Sequence, residues 1–268
     1  MSDKSTVTKF LLETDCNGHL EELPNSVRLM VNGVNWWNAS DPSETAHAEW
    51  DYSMATLEAV ESGAVNIKDV VPVGSLEFCQ AVSEAQRGPV ISAMNIPVPM
   101  RSEEFIGRNV FDTADLTGLR QLLRLSEPML VKPGDTPKRF DAVSVTETSA
   151  GICLANVDGP FFASELLQED ILAEWRVFFS RGRIVGARPY TLPVWKVPDL
   201  EFAEEAVFAW SQSGTMPAAG TLDIAILESG RNVVIEAHQF IACALYGFEG
   251  EDVLRMLSDA WRWHLSIG

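Results

Sequence analysis

Two apolar runs near the C-terminus predict a β-hairpin. Residues 222–227 (LDIAIL) and 233–238 (VVIEAH) are rich in β-branched side chains, and a polar five-residue connection with a glycine separates them. Asp223 and Glu236 interrupt the two runs, and a lone carboxylate among aliphatic side chains is costly to bury. If the two carboxylates face each other across the hairpin, we expect a divalent cation or a lysine between them. The alternative is a pair of ordinary strand-end carboxylates that point to water.

Residues 25–98 alternate between strand and helix patterns, which predicts an open α/β domain. The apolar runs and turn residues predict strands at 27–34, 70–75 and 89–92 and helices at 45–63 and 76–86, the second helix capped by Ser75. Trp36 and Trp37 follow the first predicted strand. Packing between domains is the commoner role for such a pair, and stacking on a ligand is the alternative.

The second half of the chain predicts antiparallel hairpins with helices packed on them, an α+β pattern. Residues 95–108 carry two prolines and little periodicity, so we interpret them as a linker and the entry to a second unit. Beyond the linker we predict helices at 115–125, 202–211 and 251–264, strands at 128–133, 141–149 and near 164–168, and a hairpin of 174–179 with 184–190. The chain is therefore divided into residues 1–98, 99–167 and 168–268.

The composition narrows the class of protein. With 20 Lys and Arg against 38 Asp and Glu, the formal net charge is −18, which argues against non-specific nucleic-acid binding. No run approaches the 18 apolar residues of a membrane span, the N-terminus has no apolar signal core, and the four cysteines show no metal or disulfide spacing. We expect a cytoplasmic protein with reduced thiols. P-loop, dinucleotide-binding, nucleophile-elbow and zinc-protease motifs are absent from the sequence.

Several cationic side chains lie where they could meet an anion. Lys132 ends an apolar strand and can reach a phosphate group, the alternative being a lysine that snorkels to solvent. Lys138, in the loop that follows, is a second candidate to contact the anion. The alternative is a lysine that is simply exposed to solvent. Arg176 and Arg188 lie on neighbouring strands of the predicted hairpin and can converge on one anion. The alternative pairs these arginines with Glu174 and Glu169.

Four segments in order resemble the ATP-grasp superfamily: MLVKP, LLQED, EWRVFF with IVGARPY, and LDIAILESGRNVVIEAH. VPVGSLEFC and the KRFDA segment further resemble a little-characterised ATP-grasp clade defined by two arginines and a lysine. The resemblance covers roughly residues 70–250. It implies an ATP-grasp fold, in which two α+β subdomains (99–167 and 168–268) clasp ATP, preceded by an N-terminal α/β domain.

The resemblance also implies roles for individual residues. It implies phosphate contacts from Lys132 and Lys138, a hinge that meets the adenine and ribose, arginines near the phosphates or an acyl-phosphate, and carboxylates that hold Mg²⁺. The hinge residues are Gln168, Glu169, Asp170 and Ile171; the arginines are Arg176 and Arg188; the metal ligands are Asp223, Glu236 and His238. The family usually has Asn at the position of His238, and an imidazole is a poorer ligand for Mg²⁺ than an amide oxygen. His238 could orient Glu236, favour Mn²⁺, or signal lost activity.

The function implied is ATP-dependent ligation of a carboxylate to an amine or another nucleophile through an acyl-phosphate, with release of ADP and phosphate. The substrates would be small molecules or peptides, with Trp36, Trp37 and the turn at 73–75 as candidates for the acceptor site. A non-catalytic nucleotide-binding protein and a small-molecule phosphotransferase are the alternatives. We expect no nucleic-acid or membrane partner.

Overall fold

The computed structural model describes residues 7–39, 49–126, 128–191 and 195–268, with the backbone alone at 37–39. The strands are β1 (Thr8–Glu13), β2 (Trp50–Ala55), β3 (Val70–Val73), β4 (Val110–Thr113), β5 (Met129–Pro133), β6 (Val143–Val145), β7 (Phe161–Glu165), β8 (Ile171–Ser180), β9 (Arg183–Pro189), β10 (Ala219–Leu227) and β11 (Asn232–Gln239). The helices are α1 (Glu22–Ala39), α2 (Leu57–Glu61), α3 (Leu76–Ala85), α4 (Glu103–Ile106), α5 (Leu116–Leu123), α6 (Glu147–Cys153), α7 (Leu200–Ser211) and α8 (Glu251–Ser266), and Val98–Met100 forms a 3₁₀ turn. Within these described ranges, every helix is too short or too polar to cross a membrane.

Two compact units make up the chain. The first unit comprises Met1–Val90, Pro217–Gly220 and Gln239–Gly268, and the second comprises Ile91–Met216 and Thr221–His238. The division into residues 1–98, 99–167 and 168–268 stays a prediction.

A three-stranded parallel sheet is the centre of the first unit. Its order is β2-β1-β3, with β1 parallel to both neighbours. Phe10, Leu11 and Leu12 of the central strand are buried because both edges of β1 are paired and both of its faces are covered. Helix α3 follows β3, and the Ser75 hydroxyl accepts a hydrogen bond from the Phe78 amide at 3.1 Å, so the predicted helix and its cap are confirmed.

The predicted strand at 27–34 is wrong, because these residues lie in α1. Val27 and Val31 are buried, while Leu29 between them is 57% exposed. Buried positions four residues apart form one face of a helix, whereas a strand would have placed all three residues on one side. Trp36 lies in the same helix and is 68% exposed, and the side chain of Trp37 lies outside the described residues.

Two further predictions in the first unit fail. The helix predicted at 45–63 is replaced by strand β2, paired with β1 along its whole length, and by the short helix α2; residues 45–48 lie outside the described residues. Pairing beside a buried central strand has overridden the local helical spacing. The strand predicted at 89–92 is a segment without strand structure.

Two four-stranded sheets form the second unit. In the sheet β4-β7-β5-β6 all neighbouring strands are antiparallel. Helices α5 and α6 pack on this sheet, and the core between them contains Leu119 and Leu123 of α5 and Val131 of β5. The other sheet has the order β11-β10-β8-β9, and its core contains Phe179 and Trp210, whose rings meet edge to face with centroids 5.6 Å apart.

The hairpins β8–β9 and β10–β11 and the closing helix α8 confirm the corresponding sequence predictions. The strand predicted at 141–149 is wrong in its second half, because β6 ends at Val145 and α6 begins at Glu147. Thr146 and Ser149 form a reciprocal capping box that starts α6. This local hydrogen bonding outweighs the alternation of apolar and polar residues in the same stretch.

Helix α8 carries a buried histidine against α3. His264 is 1% exposed, and its Nε2 lies 2.8 Å from the Ser83 hydroxyl, which in turn donates to the Pro89 carbonyl at 2.8 Å. The single hydroxyl proton of Ser83 is therefore used, so the neutral imidazole donates its Nε2–H to Ser83. Burial lowers the pKa of His264, and the hydrogen bonding towards Pro89 opposes that shift only in part.

We expect the free energy of unfolding to decrease as the pH falls below about 6.5, the ordinary histidine pKa. The folded pKa lies below the unfolded one, so the unfolded chain takes up a proton that folded His264 resists, and stability is lost towards the folded pKa. Urea titrations between pH 7 and pH 5 measure this slope. His264→Gln should flatten it by at most ~1.4 kcal/mol per pH unit, the value for one proton.

The matched control is His19→Gln, which removes an exposed histidine. This variant leaves His264 in place, so the contribution of His264 to the slope should remain. If His264→Gln and His19→Gln changed the slope equally, the buried neutral state of His264 would be contradicted.

Candidate active site

A buried ion pair joins the two central strands of the sheet β11-β10-β8-β9. Arg176 on β8 donates from Nε to Asp223 Oδ1 at 2.8 Å and from its terminal nitrogen to Oδ2 at 2.7 Å, with Asp223 on β10. The two residues are 5% and 8% exposed. Burial alone would raise the pKa of Asp223, but the Arg176 guanidinium and the nearby His238 imidazole outweigh burial and lower it. Asp223 is therefore an ionised carboxylate inside an apolar strand.

A second cation neutralises the other carboxylate of the hairpin. Lys132 Nζ on β5 lies 2.9 Å from Glu236 Oε2 on β11, and both side chains are largely buried. We expected one lysine or metal ion between Asp223 and Glu236. Instead, each carboxylate has its own cation, Arg176 for Asp223 and Lys132 for Glu236. The alternative of two strand-end carboxylates in water is wrong.

His238 completes a cluster with the two carboxylates. Its Nε2 lies 3.6 Å from Asp223 Oδ2 and 3.7 Å from Glu236 Oε2, distances too long for hydrogen bonds. One ligand atom from each of the three residues can be chosen so that all lie within 4.8 Å of one another. Two carboxylates and an imidazole are a donor set that fits a divalent cation, with the imidazole more favourable to Mn²⁺ than to Mg²⁺.

Arg176 and Arg188 lie directly opposite each other in the antiparallel register of β8 and β9, so they share a face of the sheet; their convergence on one anion stays a prediction. The guanidinium of Arg176 also lies over the ring of Tyr190, 5.5 Å from its centroid. The alternative that paired these arginines with Glu169 is wrong for Glu169, which contacts Ser229 and Arg231.

A cavity of about 430 Å³ opens beside Lys132 in the second unit. This volume lies in the range of small-molecule sites. Its apolar walls are Leu130, Phe162, Leu166, Leu167, Ile171 and Ile235, and its polar lining is Arg108, Lys132, Ser164, Glu165, Glu169, Asp170 and Glu174. The cavity thus combines apolar walls, which suit a flat apolar group, with two cationic and four acidic side chains.

Three of the four predicted hinge residues line this cavity, namely Glu169, Asp170 and Ile171. Gln168 is exposed and does not line the cavity, and its side chain bonds the Leu166 carbonyl at 3.4 Å. The Asp170 carbonyl accepts from the Glu228 amide at 3.0 Å, and the Glu169 carboxylate accepts from the Ser229 amide at 2.9 Å. Hydrogen bonds from Ser229 are the main cause that lowers the pKa of Glu169. The predicted hinge is thus tied to the β10–β11 turn.

The remaining predicted positions lie apart from the cavity lining. Lys138 is exposed in the loop after β5, with a positive φ of 57°, whereas its neighbour Arg139 is held by Asp135 and by the Pro160 carbonyl. Ser75, from the candidate acceptor turn, bonds Glu13 and caps α3 within the first unit.

Sequence reasoning missed Glu174 and Arg108. Glu174 is half-buried in the cavity lining, where burial and the neighbouring Asp223 raise its pKa and Lys132 opposes them. The sequence could have indicated Glu174, because it lies two residues before Arg176 in a strand and therefore shares a face with it. Arg108 lies in a stretch interpreted as a linker, and no periodicity marks it.

Comparison with known proteins identifies the architecture. Residues 105–256, more than half of the chain, match the model of an ATP-grasp domain, the second family of the clade named for its two arginines and a lysine. No curated protein is similar enough in sequence to count as a match.

Solved structures share the fold at low identity. A D-alanine–D-alanine ligase from Bacillus anthracis is 12% identical with a TM-score of 0.53, over 98% of this chain and 100% of that one. The D-cycloserine synthetase DcsG is 14% identical with a TM-score of 0.55, over 96% and 100%. The macrocyclase MdnC from Microcystis aeruginosa MRC, bound with precursor peptide MdnA, is 8% identical with a TM-score of 0.51, over 96% and 99%. The chain therefore belongs to the ATP-grasp superfamily, in the second family of the two-arginine, one-lysine clade, and has the α+β ATP-grasp fold.

Proposed function

We propose that this protein is an ATP-dependent ligase that joins a carboxylate to an amine or a related nucleophile through an acyl-phosphate. The observation that carries the proposal is the apolar cavity that leads to Lys132, beside which Asp223, Glu236 and His238 cluster. Family membership and the kinds of enzyme among the structural neighbours support an ATP-dependent ligase in general terms. The division at residues 98 and 167 is retained as the proposed domain organisation.

The cavity would take the nucleoside of ATP. Leu130 and Ile235 on opposite strands of the lining would pack on the base, and the hinge from Gln168 to Ile171 would offer its main chain to the edge of the base. Glu174, half-buried on the same lining, would accept hydrogen bonds from the ribose hydroxyls. Lys132 at the polar end would bind the phosphates, with Lys138 on the adjacent loop as a second, more mobile contact.

Asp223, Glu236 and His238 would hold a divalent cation, Mg²⁺ or Mn²⁺. When bound, such an ion supplies positive charge that offsets the charge of the polyphosphate and of the transferring phosphoryl group. Arg176 holds Asp223 in a bidentate pair, so we assign it the positioning of that carboxylate. Arg188, on the same face, is assigned the contact with the transferring group or the acyl-phosphate.

The proposed chemistry has two steps. A substrate carboxylate oxygen forms a bond to the γ-phosphorus while the bond to the leaving ADP oxygen breaks. The lone pair of the amine then attacks the acyl carbon, phosphate leaves, and the amine loses one proton to give the amide. Cationic side chains such as Arg188 would stabilise the negative charge that develops on oxygen in both steps. The substrates would be small molecules or peptides.

Two alternatives remain, and the imidazole in the cluster motivates the first. If His238 weakens the metal site, the protein binds nucleotide without turnover. If the acyl-phosphate is replaced by a stable phosphoester, the protein is a phosphotransferase.

Glu236→Gln should weaken Mn²⁺ binding by at least ~10-fold, because the change removes a charged ligand and leaves Lys132 without its partner. Electron paramagnetic resonance of free Mn²⁺ measures this on the nucleotide-free protein and so does not depend on activity. Glu204→Gln, on the exposed side of α7, is the matched control and should bind as the wild type does. Equal Mn²⁺ affinity in the two variants would contradict the assignment of Glu236.

Hydroxylamine should trap the acyl-phosphate. With ATP, a divalent cation and a panel of amino-acid and peptide carboxylates, we expect ADP release together with a hydroxamate, detected by mass spectrometry. A stable phosphorylated product without hydroxamate would favour the phosphotransferase. ATP binding with no ADP release for any member of the panel would favour the non-catalytic protein.

A further inference from the structure

Arg108 is a partly buried cation in the wall of the cavity. Its Nε donates to the Ser164 hydroxyl at 2.7 Å, and one terminal nitrogen donates to the Ile106 and Val234 carbonyls at 3.0 and 3.3 Å. The other terminal nitrogen lies 3.5 Å from the Ile235 carbonyl, at the limit of a hydrogen bond. All four acceptors are neutral, so the fold holds the guanidinium in place without neutralising it.

Among the described residues, Arg108 forms no ion pair. Glu165, which follows Ser164 in the chain, also lines the cavity. Its carboxylate accepts from the Asn109 amide at 3.1 Å, from the Asn109 side chain at 2.9 Å and from the Ser126 hydroxyl at 2.8 Å. Burial lowers the pKa of Arg108 to about 10, which still leaves it charged at neutral pH. A partly buried cation held only by neutral groups retains its full charge, which an acceptor inside the cavity can meet.

The hydrogen-bond count leaves a donor for that acceptor. A guanidinium has five N–H groups and no acceptor atom. Four of them meet the four acceptors above, and the nitrogen with the weakest bond carries the fifth, for which the described residues provide no acceptor. Because Arg108 lines the cavity, a group inside the cavity can take this N–H.

Strand register separates the contact that Arg108 makes on β7 from the position of Lys132. Ser164, its partner, lies opposite Leu130 on β5, whereas Lys132 lies opposite Phe162. Two residues along a strand are about 7 Å. Arg108 therefore contacts β7 two positions along the strand from the residue that faces Lys132, and it meets β11 at Val234 and Ile235.

We propose that Arg108 is a specificity-determining residue that donates a hydrogen bond to an unprotonated ring nitrogen of a purine base. The inference rests on the proposed function, which assigns the phosphates to Lys132 and so leaves the base for the part of the cavity wall that Arg108 lines. Since the guanidinium cannot accept a hydrogen bond, a base that presents an amino group at this point is disfavoured, and one that presents a lone pair is selected.

A scan with deaza nucleotides tests the proposal. Isothermal titration with Mg²⁺ compares ATP with 1-deaza-, 3-deaza- and 7-deaza-ATP, each of which replaces one ring nitrogen by a C–H. Wild-type protein should bind one of the three at least ~10-fold more weakly than ATP, as expected for a lost hydrogen bond to a charged donor. Arg108→Met should bind ATP about as weakly, and should no longer distinguish that analogue from ATP. A purely structural role for Arg108 would not produce this coupling.

Two further variants test whether the loss of discrimination is specific to Arg108. Arg183→Met removes an exposed arginine of the second unit and should keep the full discrimination. If Arg108→Met does not fold, Arg108→Lys keeps the charge but loses the planar fork, and it should lower the discrimination while circular dichroism stays native.

The possible failures are distinguishable. If the wild type discriminates none of the three analogues, or if Arg108→Met and Arg108→Lys keep the wild-type discrimination, the role of Arg108 is overturned while ATP binding stands. If the wild type binds neither ATP nor ADP with Mg²⁺, the proposed function fails and this inference fails with it.

Discussion

The neutralisation of Asp223 by Arg176 is the interaction on which the centre of the second unit depends. Both side chains are buried between mostly apolar strands, so either charge alone would carry a desolvation cost of several kcal/mol. The bidentate geometry satisfies both carboxylate oxygens and fixes β8 beside β10. The Asp223 carboxylate is thus held ionised beside Glu236 and His238, where the cluster of possible metal ligands forms.

Other polar side chains near this pair also make contacts between distant parts of the chain. Lys132 neutralises Glu236 from the other sheet, and Glu169 ties the predicted hinge to the β10–β11 turn through Ser229. Each contact joins residues more than 45 positions apart in the chain, as their numbers show. The walls of the cavity are therefore held by polar contacts at their edges, while Leu130, Phe162 and Ile235 leave its interior apolar. Arg108 differs from these charges because its four acceptors are neutral.

Local pattern predicted the parts of the fold that local chemistry decides. The β10–β11 hairpin, the Ser75 cap and α8 depend on turn residues, capping and helical spacing within short windows, and these predictions are confirmed. The prediction for the α1 segment failed because Val27 and Val31 fit both periods while Leu29 fits only the strand, and burial in the folded unit selects the helix. Strand β2 failed because its conformation is imposed by pairing with β1, which lies more than 35 residues away in sequence. For the site, the sequence indicated that Asp223 and Glu236 needed cations, but strand order decides which cation serves which carboxylate. Arg108 carried no pattern at all, since its significance lies in having only neutral acceptors among the residues that the structure describes.

The central claim is that the cavity beside Lys132 is the nucleotide site, and photolabelling tests it most directly. 8-Azido-ATP, activated by light and mapped by peptide mass spectrometry, reports which segments lie against the base. Saturable labelling within residues 130–132, 164–171 or 235, abolished by excess ATP, is the predicted result. Labelling that ATP abolishes but that maps entirely outside the segments lining the cavity would contradict the account.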